Sequence, residues 1–199
     1  PHPPAPPRKG TLPPPAPKYG AQLVRPTLGQ RLNPVKARQP VGIALEKPNP
    51  GGLEVGMEIE NLIIDPLVLT VSGCQEYCPE CIEAVRTLKF AGDPPPKVSV
   101  GLSNVSNAVP HTMRPLLNRV YMVMLMAAGL DMVIADPLDM ELRETIRIVE
   151  ERDASTAVGQ VYLTLFDRTA DMDELEQADV NMNDPAQAEI FKTVQVLLN

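Results

Sequence analysis

Three cysteines lie close together in the segment SGCQEYCPECIEA, residues 72–84, at the spacing C-x3-C-x2-C. Thiolates so close in sequence can hold a four-iron four-sulfur cluster, as in radical enzymes that cleave S-adenosylmethionine. A free thiol is also a small hydrophobic group that often lies in a core. The same cysteines recur with Val85 and Leu88 at intervals of four and three residues, which is the period of one helical stripe. The spacing therefore allows either a cluster or a buried helix face.

The residues around the cysteines favour the buried helix face. Radical enzymes of this kind usually have an aromatic residue just before the last cysteine, where this chain has Glu80, and no clear glycine-rich segment for the cofactor follows. A closed zinc site needs a fourth ligand, and His111 is the only candidate for it in the region expected to fold. We predict no metal site, and core positions for at least Cys78 and Cys81.

The composition limits the classes of function. Of the 199 residues, 44% are hydrophobic but only 4% are aromatic, so aliphatic side chains and methionines must fill the core. The net charge of -7 disfavours nonspecific binding to nucleic acids and anionic membranes, which both require basic surface. We find no apolar run of the roughly 18 to 20 residues that span a bilayer, no secretory leader and no disulfide framework. We therefore expect a cytoplasmic protein that binds neither nucleic acid nor membrane.

The proline content divides the chain near residue 50. Fourteen of the 23 prolines lie in residues 1–50, and each removes a backbone donor and disfavours helix at the residue before it. We predict a polyproline-like or disordered leader over residues 1–40 and a folded portion over residues 41–199. The leader is either unstructured or a ligand for proline-binding modules. VGIAL, residues 41–45, is the first predicted strand.

From residue 61 onward, short β-branched apolar runs alternate with segments of helical period. The predicted strands are NLIID (61–65), KVSVG (97–101) and MVIAD (132–136). The predicted helices cover residues 79–90, 113–128, 141–152, 158–167 and 185–198. Such alternation predicts an α/β fold of parallel strands joined by right-handed crossovers.

Two strands end in the same way, in IIDPL (63–67) and in IADPL (134–138). Apolar strands with polar residues at their carboxyl ends are typical of (β/α)8 barrels, whose chemistry lies at that face. We predict a partial (β/α)8 TIM-type barrel with a recognisable carboxyl-terminal half; a doubly wound sheet is the alternative. A full barrel typically takes about 250 residues, and only four strands can be predicted here.

The segment VGLSNVSNAVPHTMRPLLNRVYMVMLMAAGLDMVIADP, residues 100–137, carries several motifs in order. Together with IDPLVL and with DPPPK before GLSNVS, it closely resembles the methyltetrahydrofolate:corrinoid/iron-sulfur protein methyltransferases. Their pterin-binding barrel is shared with dihydropteroate synthase and methionine synthase. The matching motifs are GLSNVS, RPLLNR and MAAGLD, and the similarity extends from about Leu53 to Leu198. The resemblance therefore covers roughly three quarters of the chain.

The resemblance implies a set of site residues. Asp65 would read the amide and amine edge of the pterin, since a carboxylate accepts from two donors. Asn104 would face the N5 nitrogen that carries the methyl group, where an amide can donate or accept as the charge changes. The remaining implied substrate-binding residues are Gly101, Ser103, Asn107, Arg114 and Ile134.

Simpler roles exist for several polar residues of this region. Asp65 could cap an Asp-Pro turn, and Asp136 and Asp139 could equally be turn and cap residues. Asn118 and Arg119 are expected to fix the loop and the start of the helix.

The reaction implied by the resemblance is transfer of the N5-methyl group of methyltetrahydrofolate to the reduced cobalt of a corrinoid carried by a partner, the corrinoid/iron-sulfur protein. Such a site orients the substrate and stabilises developing charge, without a protein nucleophile. We also expect a homodimer. The alternatives are another pterin-barrel corrinoid methyltransferase, serving methylated amines or methionine synthesis, and an inactive fragment of such an enzyme.

One feature departs from the family. Its barrel begins with strands that carry an acidic residue and an Asn for the other side of the pterin, and residues 1–50 offer no counterpart.

Overall fold

The computed structural model describes residues 22–24 and 59–198 of the chain. The strand predicted at 41–45 lies outside the described residues, as does the predicted leader, except for residues 22–24. Those three residues form a strand that we did not predict. Within the described part of the chain, no helix is long and apolar enough to cross a membrane.

Four parallel strands form one sheet, and their order in space is their order in sequence. The strands are β1 (Gln22–Val24), β2 (Leu62–Ile64), β3 (Lys97–Gly101) and β4 (Met132–Ile134). The three strands predicted from residue 61 onward are thereby confirmed, β2 and β4 over only three residues each. Doubly wound sheets reverse their strand order at a switch point, and the four described strands contain no reversal.

Five long helices follow β2 in the described residues, and each corresponds to a predicted one. They are α1 (Tyr77–Leu88), α2 (Arg114–Ala127), α3 (Met140–Glu151), α4 (Ala157–Ala170) and α5 (Pro185–Leu198). Side-chain caps define two of the starts: Asp139 accepts from the backbone N–H of Leu142, and Thr156 accepts from that of Gly159. Gly129 follows α2 at a φ of 99°, a left-handed conformation that costs glycine little.

The core lies between one face of the sheet and the helices. Val98 and Val100 of β3 are fully buried, and α2, with seven buried residues, packs against α3, α4 and α5. Alternation along β3 places Gly101 on the opposite face, and the register places Ile134 beside it. Ile134 is 66% exposed, so in the described residues this second face is open at the β4 edge.

The structure therefore supports an α/β fold with a small parallel sheet. The described strands form an open sheet with β1 and β4 at its edges, so the barrel stays a prediction.

The cysteines lie where the core interpretation placed them. Cys78 and Cys81 are buried in α1, while Cys74 is half-buried in the turn before it. The Tyr121 hydroxyl donates to the Cys78 carbonyl oxygen at 2.9 Å. Burial raises the pKa of Cys78 to about 11 and that of Cys81 to about 12, so both thiols stay protonated near neutral pH. Among the described residues, no group of three or more His, Cys, Asp or Glu is placed to hold a metal ion.

Candidate functional site

A cleft of about 520 Å³ opens where the strands end. Its walls come from the loop after β3, the first turns of α2 and the loop after β4, which meet because parallel strands end at one edge of the sheet. Its volume falls within the range of small-molecule sites. The lining residues are Ser103, Asn104, Ser106, Asn107, His111, Arg114, Pro115, Asn118, Asp136 and Asp139.

The loop after β3 is a single turn of 3-10 helix, Leu102–Asn104, followed by further turns. Leu102 and Val105 are buried and hold the loop on the core, whereas Ser103 and Asn104 between them are exposed. The Ser106 hydroxyl donates to the Ser103 carbonyl oxygen at 3.2 Å and steadies the turn. This alternation of apolar and polar residues turns the polar side chains toward the cleft.

Gly101 makes room for the Asn104 side chain. A Cβ atom at position 101 would lie 3.2 Å from Nδ2 of Asn104, a separation tighter than nine in ten Cβ contacts. The carboxamide of Asn104 therefore lies over the end of β3, on the face of the sheet opposite the helices. Ile134 stands beside Gly101 in the register of β3 and β4, so these three residues come together at one corner of the sheet.

Arg114 and Asn118 lie one helical turn apart at the start of α2, and both face the cleft. Nε of Arg114 donates to the carbonyl oxygen of Val109 at 2.8 Å, which fixes the loop that leads into the helix. Oδ1 of Asn118 is buried and has no hydrogen-bond partner in the described part of the chain. Arg119 faces α3 instead and pairs with Glu141.

The repeated Asp-Pro-Leu sequence makes the same side-chain hydrogen bond at both strand ends. Oδ1 of Asp65 accepts from the N–H of Leu67 at 2.8 Å, and Oδ1 of Asp136 accepts from the N–H of Leu138 at 2.9 Å. Asp139 caps α3. Asp65 and Asp136 therefore act as turn residues, and Asp139 acts as a helix cap. Asp136 and Asp139 also line the cleft.

Two hydrogen bonds join the loop after β2 to the loop after β3. The Thr70 hydroxyl donates to the Asn107 carbonyl oxygen, and the N–H of Val71 donates to the Val105 carbonyl oxygen at 2.9 Å. The two loops therefore lie side by side at the carboxyl edge of the sheet.

Four of the seven predicted site residues line the cleft: Ser103, Asn104, Asn107 and Arg114. Asp65, Gly101 and Ile134 lie at the same edge of the sheet but do not line it. His111, Ser106 and Asn118 line the cleft without having been predicted as site residues. Position after a strand could have indicated Ser106, but nothing in the sequence shows that the Asn118 oxygen lacks a partner.

A second cleft of about 240 Å³ lies among the helices, away from the strand ends, and is lined mainly by apolar and acidic side chains. Its one arginine in the described residues, Arg86, donates to the carbonyl oxygens of Thr169 and Ala170. That cation serves to join α1 to the end of α4. The polar cleft at the strand ends is therefore the better candidate site.

Comparison with known proteins identifies a relative of the chain. No protein-family model matches the chain. The chain is 31% identical over 121 residues to methionine synthase of Mycobacterium tuberculosis. The matched region covers 59% of this chain but 10% of methionine synthase, so the chain spans only a small part of that protein. The similarity links the chain to a methyltransferase, and it does not specify the reaction.

Proposed function

We propose that the cleft at the carboxyl edge of the sheet binds methyltetrahydrofolate, and that the chain promotes transfer of its N5-methyl group to the reduced cobalt of a corrinoid protein. Two lines of support are independent of the cleft geometry. The motifs of residues 100–137 resemble pterin-binding methyltransferases, and the chain is similar to methionine synthase, which belongs to the group that shares this barrel. The proposal includes the partial (β/α)8 barrel predicted from the sequence, with which the sequential order of the four described strands agrees.

The observation that carries the proposal is the placement of Asn104. Its carboxamide is exposed in the cleft, above a glycine whose missing side chain gives it space. Asn107, Arg114 and Ser103 line the same cleft. Amide and hydroxyl groups, one guanidinium and the carboxylates of Asp136 and Asp139 therefore surround one volume. A flat heterocycle with alternating donors and acceptors is the kind of ligand that such side chains recognise.

The chain's own residues would orient the folate and stabilise charge at N5. The corrinoid supplies the cobalt nucleophile, and the chain supplies the geometry of attack. As the C–N bond breaks, its electron pair remains on N5, which takes up a proton from solvent to give tetrahydrofolate. The Asn104 amide would donate a hydrogen bond to N5 as this charge develops. Donation at an atom where charge develops lowers the barrier more than it strengthens substrate binding. The proposal assigns the amine and amide edge of the ring to Asp65, which lies at the end of β2, outside the lining of the cleft, and whose Oδ1 also accepts from the N–H of Leu67.

Replacement of Asn104 by Ala tests the catalytic role. With methyltetrahydrofolate and free reduced cobalamin, we expect the rate of methylcobalamin formation to fall by about 100-fold, because one aligned donor is lost. Asn183→Ala is the matched control, since Asn183 is exposed and lies outside the cleft. Absence of both folate binding and methyl transfer in the unaltered protein would refute the proposal. An unchanged rate in the Asn104 variant would refute only the role of that side chain.

The second candidate is a methyltransferase of methionine synthesis, which the similarity to methionine synthase favours. Both candidates use the same folate site, and they differ in the protein that presents the corrinoid. Supplying the reduced corrinoid/iron-sulfur protein and a reduced cobalamin domain of methionine synthase in separate assays distinguishes them. The acceptor that gives the higher kcat/KM identifies the reaction.

A corrinoid-carrying protein requires a docking surface beside the cleft. Met113, Leu138 and Met140 are each more than half exposed, and each is adjacent in sequence to a residue that lines the cleft. Exposed apolar groups around a polar site are typical of surfaces that bind proteins. We propose the corrinoid/iron-sulfur protein as the partner and a homodimer as the assembly, which sedimentation velocity would test.

A further inference from the structure

Asn118 is the unusual polar residue of the cleft. Its Oδ1 is the one buried side-chain nitrogen or oxygen among the described residues that has no hydrogen-bond partner. The rest of the side chain reaches the cleft wall, and in the described part of the chain nothing holds its carboxamide in place. A buried polar atom without a partner costs about 1–3 kcal/mol. The helix therefore carries a polar group that weakens the ligand-free fold.

The neighbouring cations do not relieve this cost. Arg114, one turn before Asn118, donates to the Val109 carbonyl oxygen, and Arg119 pairs with Glu141. An apolar side chain of the same size would satisfy the packing around position 118 without an unpaired oxygen. The retained carboxamide is thus better explained by a group outside the chain than by the fold.

We propose that Asn118 is a ligand-binding residue, and that its Nδ2 faces the cleft and donates to an acceptor on the pterin ring. The inference rests on the proposed function and adds a ligand contact by a residue that was expected only to fix the loop and the start of the helix. The ring is preferred to the glutamate tail of the folate because Asp136 and Asp139 line the same cleft. These carboxylates repel an anionic tail and accept the neutral ring.

Two substitutions separate a ligand contact from a structural role. Asn118→Leu removes the polar group at nearly the same size, and Asn118→Asp retains the shape while removing the Nδ2 donor. Since the buried oxygen lacks a partner, we expect Asn118→Leu to leave the melting temperature of the ligand-free protein unchanged or higher. A structural role predicts the opposite, a lower melting temperature.

Affinity for methyltetrahydrofolate, measured by isothermal titration calorimetry, gives the second readout. We expect both variants to bind about tenfold more weakly than the unaltered protein, since each loses one hydrogen bond to the ligand. The same loss should appear with 6-methyltetrahydropterin, which has the ring and no glutamate tail. Asn183→Leu, at an exposed position outside the cleft, is the control for nonspecific effects.

Each other outcome overturns the inference in a distinct way. If both variants bind as tightly as the unaltered protein, Asn118 does not contact the ligand, and the proposed function stands. If only Asn118→Leu loses affinity, the donor assignment is wrong. A loss confined to the full folate places the contact at the tail instead of the ring. If the unaltered protein binds neither compound, the proposed function and this inference both fail.

Discussion

At the scale of single residues, the side chains of the cleft have two kinds of role, structural and potentially ligand-binding. Asp136 and Asp139 line the cleft and also complete a turn and a helix cap. Asn104 and Asn118 have exposed or unpaired carboxamides that no described contact requires. Residues of the first kind shape the site, and those of the second kind are available to a ligand.

Gly101→Ala should weaken activity through Asn104. The new Cβ would lie 3.2 Å from Nδ2 of Asn104 and displace its carboxamide by a few tenths of an ångström or more. We expect about a tenfold loss of methyl transfer, because small misplacements of a catalytic group are costly. The backbone at Gly101 has a φ of -86°, which alanine adopts without strain, so the fold should persist.

A double-mutant cycle is the control for this mechanism. In an Asn104→Ala background the added methyl group has no carboxamide to displace, and Gly101→Ala should then cause little further loss. Additive losses in the double variant would show that Gly101 acts independently of Asn104.

Sequence reasoning could reach the residues of the cleft that follow a strand within a motif. Ser103, Asn104 and Asn107 come directly after the buried run of β3, and a parallel sheet must bring such positions to its carboxyl edge. The contribution of Asn118 could not be predicted in this way. It depends on which donors surround one oxygen atom in three dimensions, and the sequence does not contain that information.

At the scale of elements, the observed limits of the helices agree well with those predicted from capping residues and from the helical period. The helix predicted at 79–90 in fact spans Tyr77–Leu88. Pro79 is the third residue of this helix, within the first turn, where backbone N–H groups have no partner in the helix. Strand β1 was missed because three residues between prolines give no periodic signal, and its pairing with β2 is a tertiary contact.

The burial of α1 predicts the reactivity of the thiols. Cys78 and Cys81 are buried, and burial raises their pKa values to about 11 and about 12. Both thiols are therefore protonated near neutral pH. Thiolate is the reactive form, so we expect a disulfide reagent to modify Cys74 quickly and the other two only after unfolding. Cys74→Ser should abolish the fast reaction. Two or more fast thiols in the native protein would contradict the position of α1 in the core.

At the scale of the whole molecule, one hydrophobic core unites the sheet and the helices. It includes Val98 and Val100 of β3 and buried residues of all five long helices of the described chain. α2 crosses its centre, and Tyr121 of that helix donates to the backbone of α1. Elements that share one core are expected to unfold together.

Thermal unfolding followed by circular dichroism should therefore show a single cooperative transition. Tyr121→Phe should lower the free energy of unfolding by about 1 kcal/mol, since the hydrogen bond from its hydroxyl to the Cys78 carbonyl oxygen is lost, and it should leave folate affinity unchanged. Calorimetry supplies the check, because calorimetric and van't Hoff enthalpies agree for a two-state transition. A broad or divided transition would instead favour the inactive-fragment alternative.

The bonds from Thr70 to Asn107 and from Val71 to Val105 have a consequence for changes in chain length. Because these bonds join the two loops, lengthening one loop at the bonded residues would break its hydrogen bonds to the other loop. An insertion designed to change specificity at this end of the sheet should therefore be accompanied by a compensating insertion in the other loop. The alternative is to place it in the loop after β4, for which the described residues show no such bonds to a neighbouring loop.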